Sequence, residues 1–261
     1  MSFLSIFGII ILSALLGGGS AGLLGVFIIG LRMPFIAVFT AHAALAGAVF
    51  GVLTGISPGL CGFTGSLLGA LLLGFLLRNR NIDPNAALGS LFSLMLGLAF
   101  LGIGLSDGPK SPMLGLLWGS LLFVTGSQVL KMAVLAIILI IFIVIFKNEL
   151  KALMFSRELA SLIIHEWLLF LFLLILCAGI ISINLEIVGG MLLYSLIANP
   201  AVAALRLART FRTALILSSV FGALSAVGGF AAAYWLDLPV GACIVLLSSL
   251  IVGISFLIKR V

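Results

Sequence analysis

The sequence predicts an all-α polytopic membrane protein with its N-terminus outside and its C-terminus inside. It would form a bundle of about 8–9 transmembrane helices, given roughly 20 residues per crossing. Three observations predict this. Hydrophobic residues make up 64% of the 261 and charged residues 8%, with a mean hydropathy of +1.46. Soluble domains are roughly 45–50% apolar and about 25% charged. Apolar runs of crossing length recur between charges, prolines and glycines. Basic residues gather in every second break, as in cytoplasmic loops. Residues 1–261 read as one transmembrane domain in a cell (inner or plasma) membrane, with lipid as its surroundings.

Phe3 to Leu31 is the first apolar run and stops at Arg32. It is long for one span and holds Gly17, Gly18, Gly19, Gly22 and Gly25. Each half is too short to cross, so the run reads as one helix loosened at its glycines. It lacks the basic start and the Ala-x-Ala stop of a signal peptide, so it is expected to be retained. Span two is Phe35 to Leu53, followed by the turn Ser57-Pro58-Gly59. Span three is Cys61 to Leu77, closed by Arg78 and Arg80. Span four is Asn85 to Leu105, after Asp83-Pro84, a helix start with proline in its first turn. A polar loop fills 106–112, and the short, glycine-punctuated run 113–127 is expected to lie at the outer surface or re-enter. Span five is Val129 to Phe146 and span six Leu162 to Ile183. Span seven, Ile187 to Ala198, is short and ends at Asn199-Pro200. Span eight is Ala214 to Leu236, and span nine Ala242 to Ile258.

If the first helix runs from outside to inside, 11 of the 13 Lys and Arg fall in inner loops. Lys110 and Lys131 are the two exceptions. This asymmetry sets the orientation. The same scatter of basics leaves no continuous positive face, which excludes a nucleic-acid binder. No phosphate-binding Gly-x4-Gly-Lys-Ser/Thr loop occurs, so the chain does not hydrolyse ATP by itself. Nor does it carry a Ser-His-Asp set, a His-Glu-x-x-His motif or a carboxylate pair, so it is not read as an enzyme. Cys61, Cys177 and Cys243 are too scattered for a disulfide framework or a zinc finger.

Ionisable residues inside spans mark a pathway by default. His42 lies near the middle of span two, beside Ala37, Ala41, Ala44 and Ala48. It is either a neutral imidazole bonded inside the bundle or a nitrogen ligand facing a metal conduit. Glu186 is either a solvated loop acid or a cation ligand at the outer mouth. His165-Glu166 reads as a cap at the inner end of span six. The segment from Asn199 to Arg209 reads as a short inner helix started by Pro200, with arginines towards the cytoplasm.

Taken in order, several segments resemble the permease subunits of zinc/manganese/iron-type ATP-binding cassette (ABC) importers. Gly22 to Ile29 followed by Arg32-Met33-x-Phe35 resembles the family's first helix and its basic stop. His42-Ala43-Ala44-Leu45-Ala46-Gly47 resembles its Ser-His-Ala-x-x-Pro-Gly motif. Ala87 to Ser93, Leu117 to Leu122, and Val188 to Leu193 followed by Pro200-Ala201-x-x-Ala204 match further signatures, as does Tyr234-x-x-Asp237-Leu238-Pro239-x-Gly241. Here Val38 stands where the family commonly has an aspartate ligand, Ala41 where Ser is usual and Ala46 where Pro is usual. The resemblance implies a homodimer, cytoplasmic ABC ATPase subunits that bind the ATP, and an extracytoplasmic metal-binding protein. It implies no covalently bound cofactor. The transported ion would be divalent: zinc first, then manganese or iron. His42 and Glu186 are the metal-ligand candidates. Pro200, Ala201, Ala204, Leu205 and Arg206 are the ATPase-coupling candidates. The rival readings are an ATP-independent secondary carrier, which would need intramembrane acids that the spans scarcely hold, and a membrane scaffold without transport.

Overall fold

A computed structural model describes residues 3–79, 81–106, 124–162 and 165–258. These residues form α-helices and short connections. The helices are α1 (Phe3–Gly30), α2 (Ile36–Thr54), α3 (Pro58–Leu76), α4 (Pro84–Leu105), α5 (Gly126–Ile145), α6 (Lys147–Phe155), α7 (Arg157–Ala160), α8 (Glu166–Val188), α9 (Gly190–Leu207), α10 (Phe211–Leu236) and α11 (Val240–Leu257). Among the described residues, eight are long and apolar enough to cross a membrane: α1–α5, α8, α10 and α11. Most of the 113–127 segment, with Arg80, Lys110, Lys259 and Arg260, falls outside the described residues.

Capping chemistry sets several helix starts. Asp83 accepts the Ala86 N–H at 2.8 Å with Pro84 in the first turn. Thr125 and Gln128 form a reciprocal capping box at α5, which therefore begins at Gly126, before the expected Val129. Thr210 accepts from the Thr213 N–H and starts α10. Glycine settles two reversals. Gly55 closes α2 at φ 71°, and Gly189 joins α8 to α9 at φ 91°, ψ 145°, a conformation almost confined to glycine.

Two features depart from the sequence reading. Spans six and seven are each displaced towards the C-terminus, so Glu186 lies in the last turn of α8 rather than in a loop. Pro200 does not start a short inner helix: α9 runs through it from Gly190 to Leu207 without a break. The four residues before Pro200 lie in the preceding turn of the same helix, whose bonds it interrupts without ending it.

Contacts fix the direction of each helix. The α1 and α10 helices are antiparallel: Phe7 meets Tyr234 edge-on at 5.2 Å, and Phe27 meets Phe211 at 6.0 Å. This is the most extensive helix pairing in the bundle. A Cβ on Gly18 or Gly22 would strike the carbonyl of Gly222 or Ser218, so the two backbones touch directly. The Ser218 hydroxyl donates to the Gly22 carbonyl at 2.6 Å. The α2–α3 hairpin uses the same device, with Gly47 against Cys61 and Gly65 against Ala43. Small residues at such seams are how helices associate where lipid is as apolar as the side chains. The α9 helix packs on α1, α10 and α11.

One end of the bundle is basic. Asn85 donates to the Arg32 carbonyl at 3.5 Å, and Trp167 donates to the Gly74 carbonyl at 3.2 Å beneath Arg78. Lys151 lies over Phe211, and Arg206 donates to the Ser255 carbonyl at 2.9 Å. The ends of α1, α3, α5, α9 and α11 therefore meet the starts of α2, α4, α8 and α10. Every described Lys and Arg except Lys131 belongs to this end. Phe7, Gly55 and exposed Tyr234 and Trp235 mark the opposite end, with aromatics where a membrane interface favours them. The two ends of the described chain lie at opposite ends of the bundle.

Gly22→Val should destabilise the protein by at least about 1–3 kcal/mol, the range for overpacking. Thermal unfolding in detergent should show a lower midpoint. Gly8→Ala, where a Cβ meets nothing within 4 Å, should not lower it.

Candidate functional site

His42 is half-buried in α2. It lies six residues, or roughly 9 Å of helix rise, from the start of α2 at the basic end. That is nearer the basic end than the expected middle of the span. Its ring packs edge-on against Phe92 of α4 at 4.8 Å. Its Nδ1 lies 2.8 Å from the carbonyl oxygen of Val38. A carbonyl can only accept, so Nδ1 carries the proton, and in the neutral ring the lone pair is on Nε2. The backbone of Val38 thus orients the imidazole, in the way a partner of the far nitrogen orients a metal-bound histidine. Beside this face, Ala43, Gly47, Gly65, Gly69 and Met95 line an apolar groove of about 340 Å³ between α2, α3 and α4.

The other ligand candidates are not brought to His42 within one chain. Glu186 lies 20 residues beyond the start of α8, roughly 30 Å of rise from the basic end. The two positions thus differ by about 20 Å along the bundle. The Glu186 side chain itself is outside the described residues. Cys61 in the first turn of α3 and Cys243 in the first turn of α11 also belong to the far end, and Cys177 is buried in the core. No group of three His, Cys, Asp or Glu side chains converges among the described residues. Within a single chain, the two metal-ligand candidates His42 and Glu186 thus stand at different levels of the bundle.

Sequence reasoning passed over Asn184. It is 1% exposed and faces Gly17 of α1 and Met132 of α5. Its Nδ2 donates to the Ile180 carbonyl at 2.9 Å, while its Oδ1 has no partner among the described residues. The signal available was an amide inside an apolar run. Asn199 is a second amide within the helices, half-buried. Its Nδ2 donates to the hydroxyls of Ser248 at 3.0 Å and exposed Ser249 at 3.1 Å, tying α9 to α11.

The coupling candidates divide by burial. Pro200, Ala201 and Ala204 are buried, and Ala201 packs against Gly25 of α1. Leu205 is half-buried. Arg206 donates to the carbonyls of Ser255 and Phe256 and lies 4.2 Å over the Phe256 ring, anchoring the ends of α9 and α11 together. Only the following turn, with exposed Arg209, is open to a partner. Beside it, Lys147–Phe155 and Arg157–Ala160 cover the basic end. There Arg157 pairs with buried Glu166 and lies 4.0 Å over Phe170. His165 precedes α8 but makes no capping bond, so the cap expected of it is replaced by that ion pair.

The sequence model of the ABC 3 transport family matches residues 4–259. The chain is 28% identical over 238 residues to the manganese transport system membrane protein MntC of Listeria monocytogenes, covering 91% of this chain and 85% of that one. It is 27% identical to the high-affinity zinc uptake system membrane protein ZnuB of Haemophilus influenzae, covering 91% of each. Among solved structures it is similar to PsaBC from Streptococcus pneumoniae in complex with Fab, with a TM-score of 0.83 at 25% identity over 98% of this chain and 92% of that one.

Proposed function

The chain belongs to the ABC 3 transport family, and from that premise we propose that it is the membrane-spanning permease subunit of an ABC importer for a divalent metal ion. The ion we propose is zinc. Two copies form the membrane pathway. Cytoplasmic ATPase subunits bind and hydrolyse ATP, and an extracytoplasmic protein delivers the metal. The chain alternates access between the two sides and performs no chemistry of its own.

The observation that carries this reading is His42, with Nδ1 spent on the Val38 carbonyl and Nε2 left as a nitrogen donor. Imidazole suits zinc, whereas manganese prefers oxygen ligands. Val38 contributes its backbone to orienting the ring and no carboxylate to the ion. A second reading, manganese, is favoured by the name of the Listeria relative. In a strain lacking the native system, this chain should support zinc uptake at low zinc concentrations. His42→Gln at equal membrane abundance should lower that uptake at least about tenfold, the lower scale for perturbing a metal site. Unchanged uptake in the variant would remove His42 from the path. Uptake of manganese in preference to zinc would reverse the ion assignment alone.

The basic end is the cytoplasmic one, by the same charge asymmetry that its arginines display. A reporter active only in the cytoplasm, fused after Val261, should be active. An inactive fusion with normal expression would invert the orientation.

ATPase docking is assigned to the exposed turn that follows α9, with Arg209, and to half-buried Leu205 at the end of α9, while Pro200, Ala201, Ala204 and Arg206 position them from inside the bundle. Arg209→Glu should leave the protein inserted. It should lower ATPase copurification by about tenfold, since like-charge juxtaposition at an interface costs several kcal/mol. Wild-type copurification would relocate the docking surface. The intact complex should weigh as two copies of this chain with two ATPase subunits.

A further inference from the structure

Lys131 is the one described basic residue away from the basic end, and transport gives it no role. It lies on the second turn of α5, roughly 9 Å below the Thr125 cap. There it lines an open cleft of about 750 Å³ between α3, α5 and α8. The cleft exists because α3 and α5 both pack on α8 but scarcely on each other. A Cβ on Gly179 of α8 would meet Leu135 and Phe63, two of the residues that line the cleft.

The lining changes character with depth. Ser57, Thr125, Gln128 and Lys131 surround the mouth, while Phe63, Val134 and Leu135 form the deeper walls. The first turns of α3 and α5 both open there, adding the positive ends of two helix dipoles to the ammonium. No carboxylate lines the cleft among the described residues. Ser182 supplies an independent sign of a ligand. It is 5% exposed and lines the same cleft, yet its hydroxyl makes no hydrogen bond among the described residues. Buried Ser13, Ser20, Ser66, Ser225, Ser248 and Ser255 each donate to a carbonyl of their own helix. Ser182 is six residues before the end of α8, at about the same depth as Lys131.

We propose that this cleft binds one anionic phospholipid of the leaflet opposite the basic end. The headgroup phosphate pairs with Lys131, whose flexible stem lets the ammonium reach the headgroup level. A glycerol or ester oxygen accepts from Ser182, and the acyl chains lie along Phe63, Val134 and Leu135. A phosphate alone would leave the apolar walls bare, and an apolar chain alone would leave the ammonium and the hydroxyl unmatched. Such a lipid would bridge α3 and α5, which both pack on α8 and scarcely on each other.

Native mass spectrometry of the full chain in neutral detergent tests this. The chain would be titrated with dioleoyl phosphatidylglycerol, dioleoyl phosphatidylcholine or inorganic phosphate. One phosphatidylglycerol should remain bound, preferred over phosphatidylcholine about fivefold, the scale of a single lysine near an anionic surface. Lys131→Gln should abolish the preference and Lys131→Arg should keep it. Val134→Trp should lower the occupancy of both lipids by filling the apolar part. Lys131 is exposed, so its variants should remain folded, with an unchanged thermal midpoint as the check. Equal retention of the two lipids, a preference that survives Lys131→Gln, or phosphate binding that leaves lipid retention unchanged would each overturn the proposal. So would retention of no lipid at all, which would leave the cleft to an acidic protein surface.

Discussion

Backbone-on-backbone contact between α1 and α10 is the constraint on which the remaining arrangement depends. Lipid gives two apolar helices no hydrophobic reason to associate, so attraction must come from close packing and hydrogen bonds. Gly18, Gly22 and Gly222 supply the closeness, and the Ser218 hydroxyl on the Gly22 carbonyl supplies a bond within the seam. With α1 held there, its other faces are free for α9 at Gly25 and for Asn184 of α8 at Gly17. The glycines that looked like a loosening of the first helix are its contact surface, and α1 remains one helix.

Polar atoms follow an economy set by the same solvent. Most buried serines return their hydroxyls to their own helix, where the carbonyls can accept a second bond. Asn199 and Arg206 instead join α9 to α11, one between hydroxyls and the other at terminal carbonyls that would lack partners. Helix α9 contains a proline and an amide, yet it holds its place because three neighbours enclose it. The burial that secures Ala201 and Ala204 also removes them from any surface a partner could touch.

His42 belongs to a different kind of site. Its orientation is a local property of α2, since the Val38 carbonyl is one turn away on the same helix. Its neighbours are tertiary: Phe92 from α4 and the apolar groove beside Met95. Among the described residues, no group of three His, Cys, Asp or Glu side chains forms around it. The basic end gathers Arg157, Arg206 and Arg209 around the surface where coupling is expected.

The sequence by itself determined that the chain is helical and membrane-embedded, where most spans begin and end, and which end is basic. These follow from composition, local caps and charge placement, properties that each stretch carries alone. Span seven was misjudged because Asn199-Pro200 is locally a stop, whereas enclosure by α1, α10 and α11 overrides it. The candidate site was legible as far as His42 and the arginines, because an imidazole or a charge in an apolar field is conspicuous. Only the tertiary structure decided that Ala204 is packing, that Glu186 stands at the opposite end from His42, and that the buried Asn184 Oδ1 has no partner among the described residues. Those facts depend on which helix faces which. In a chain apolar on nearly every helical face, no hydrophobic stripe marks the inner side, and only the fit of one backbone against another settles it.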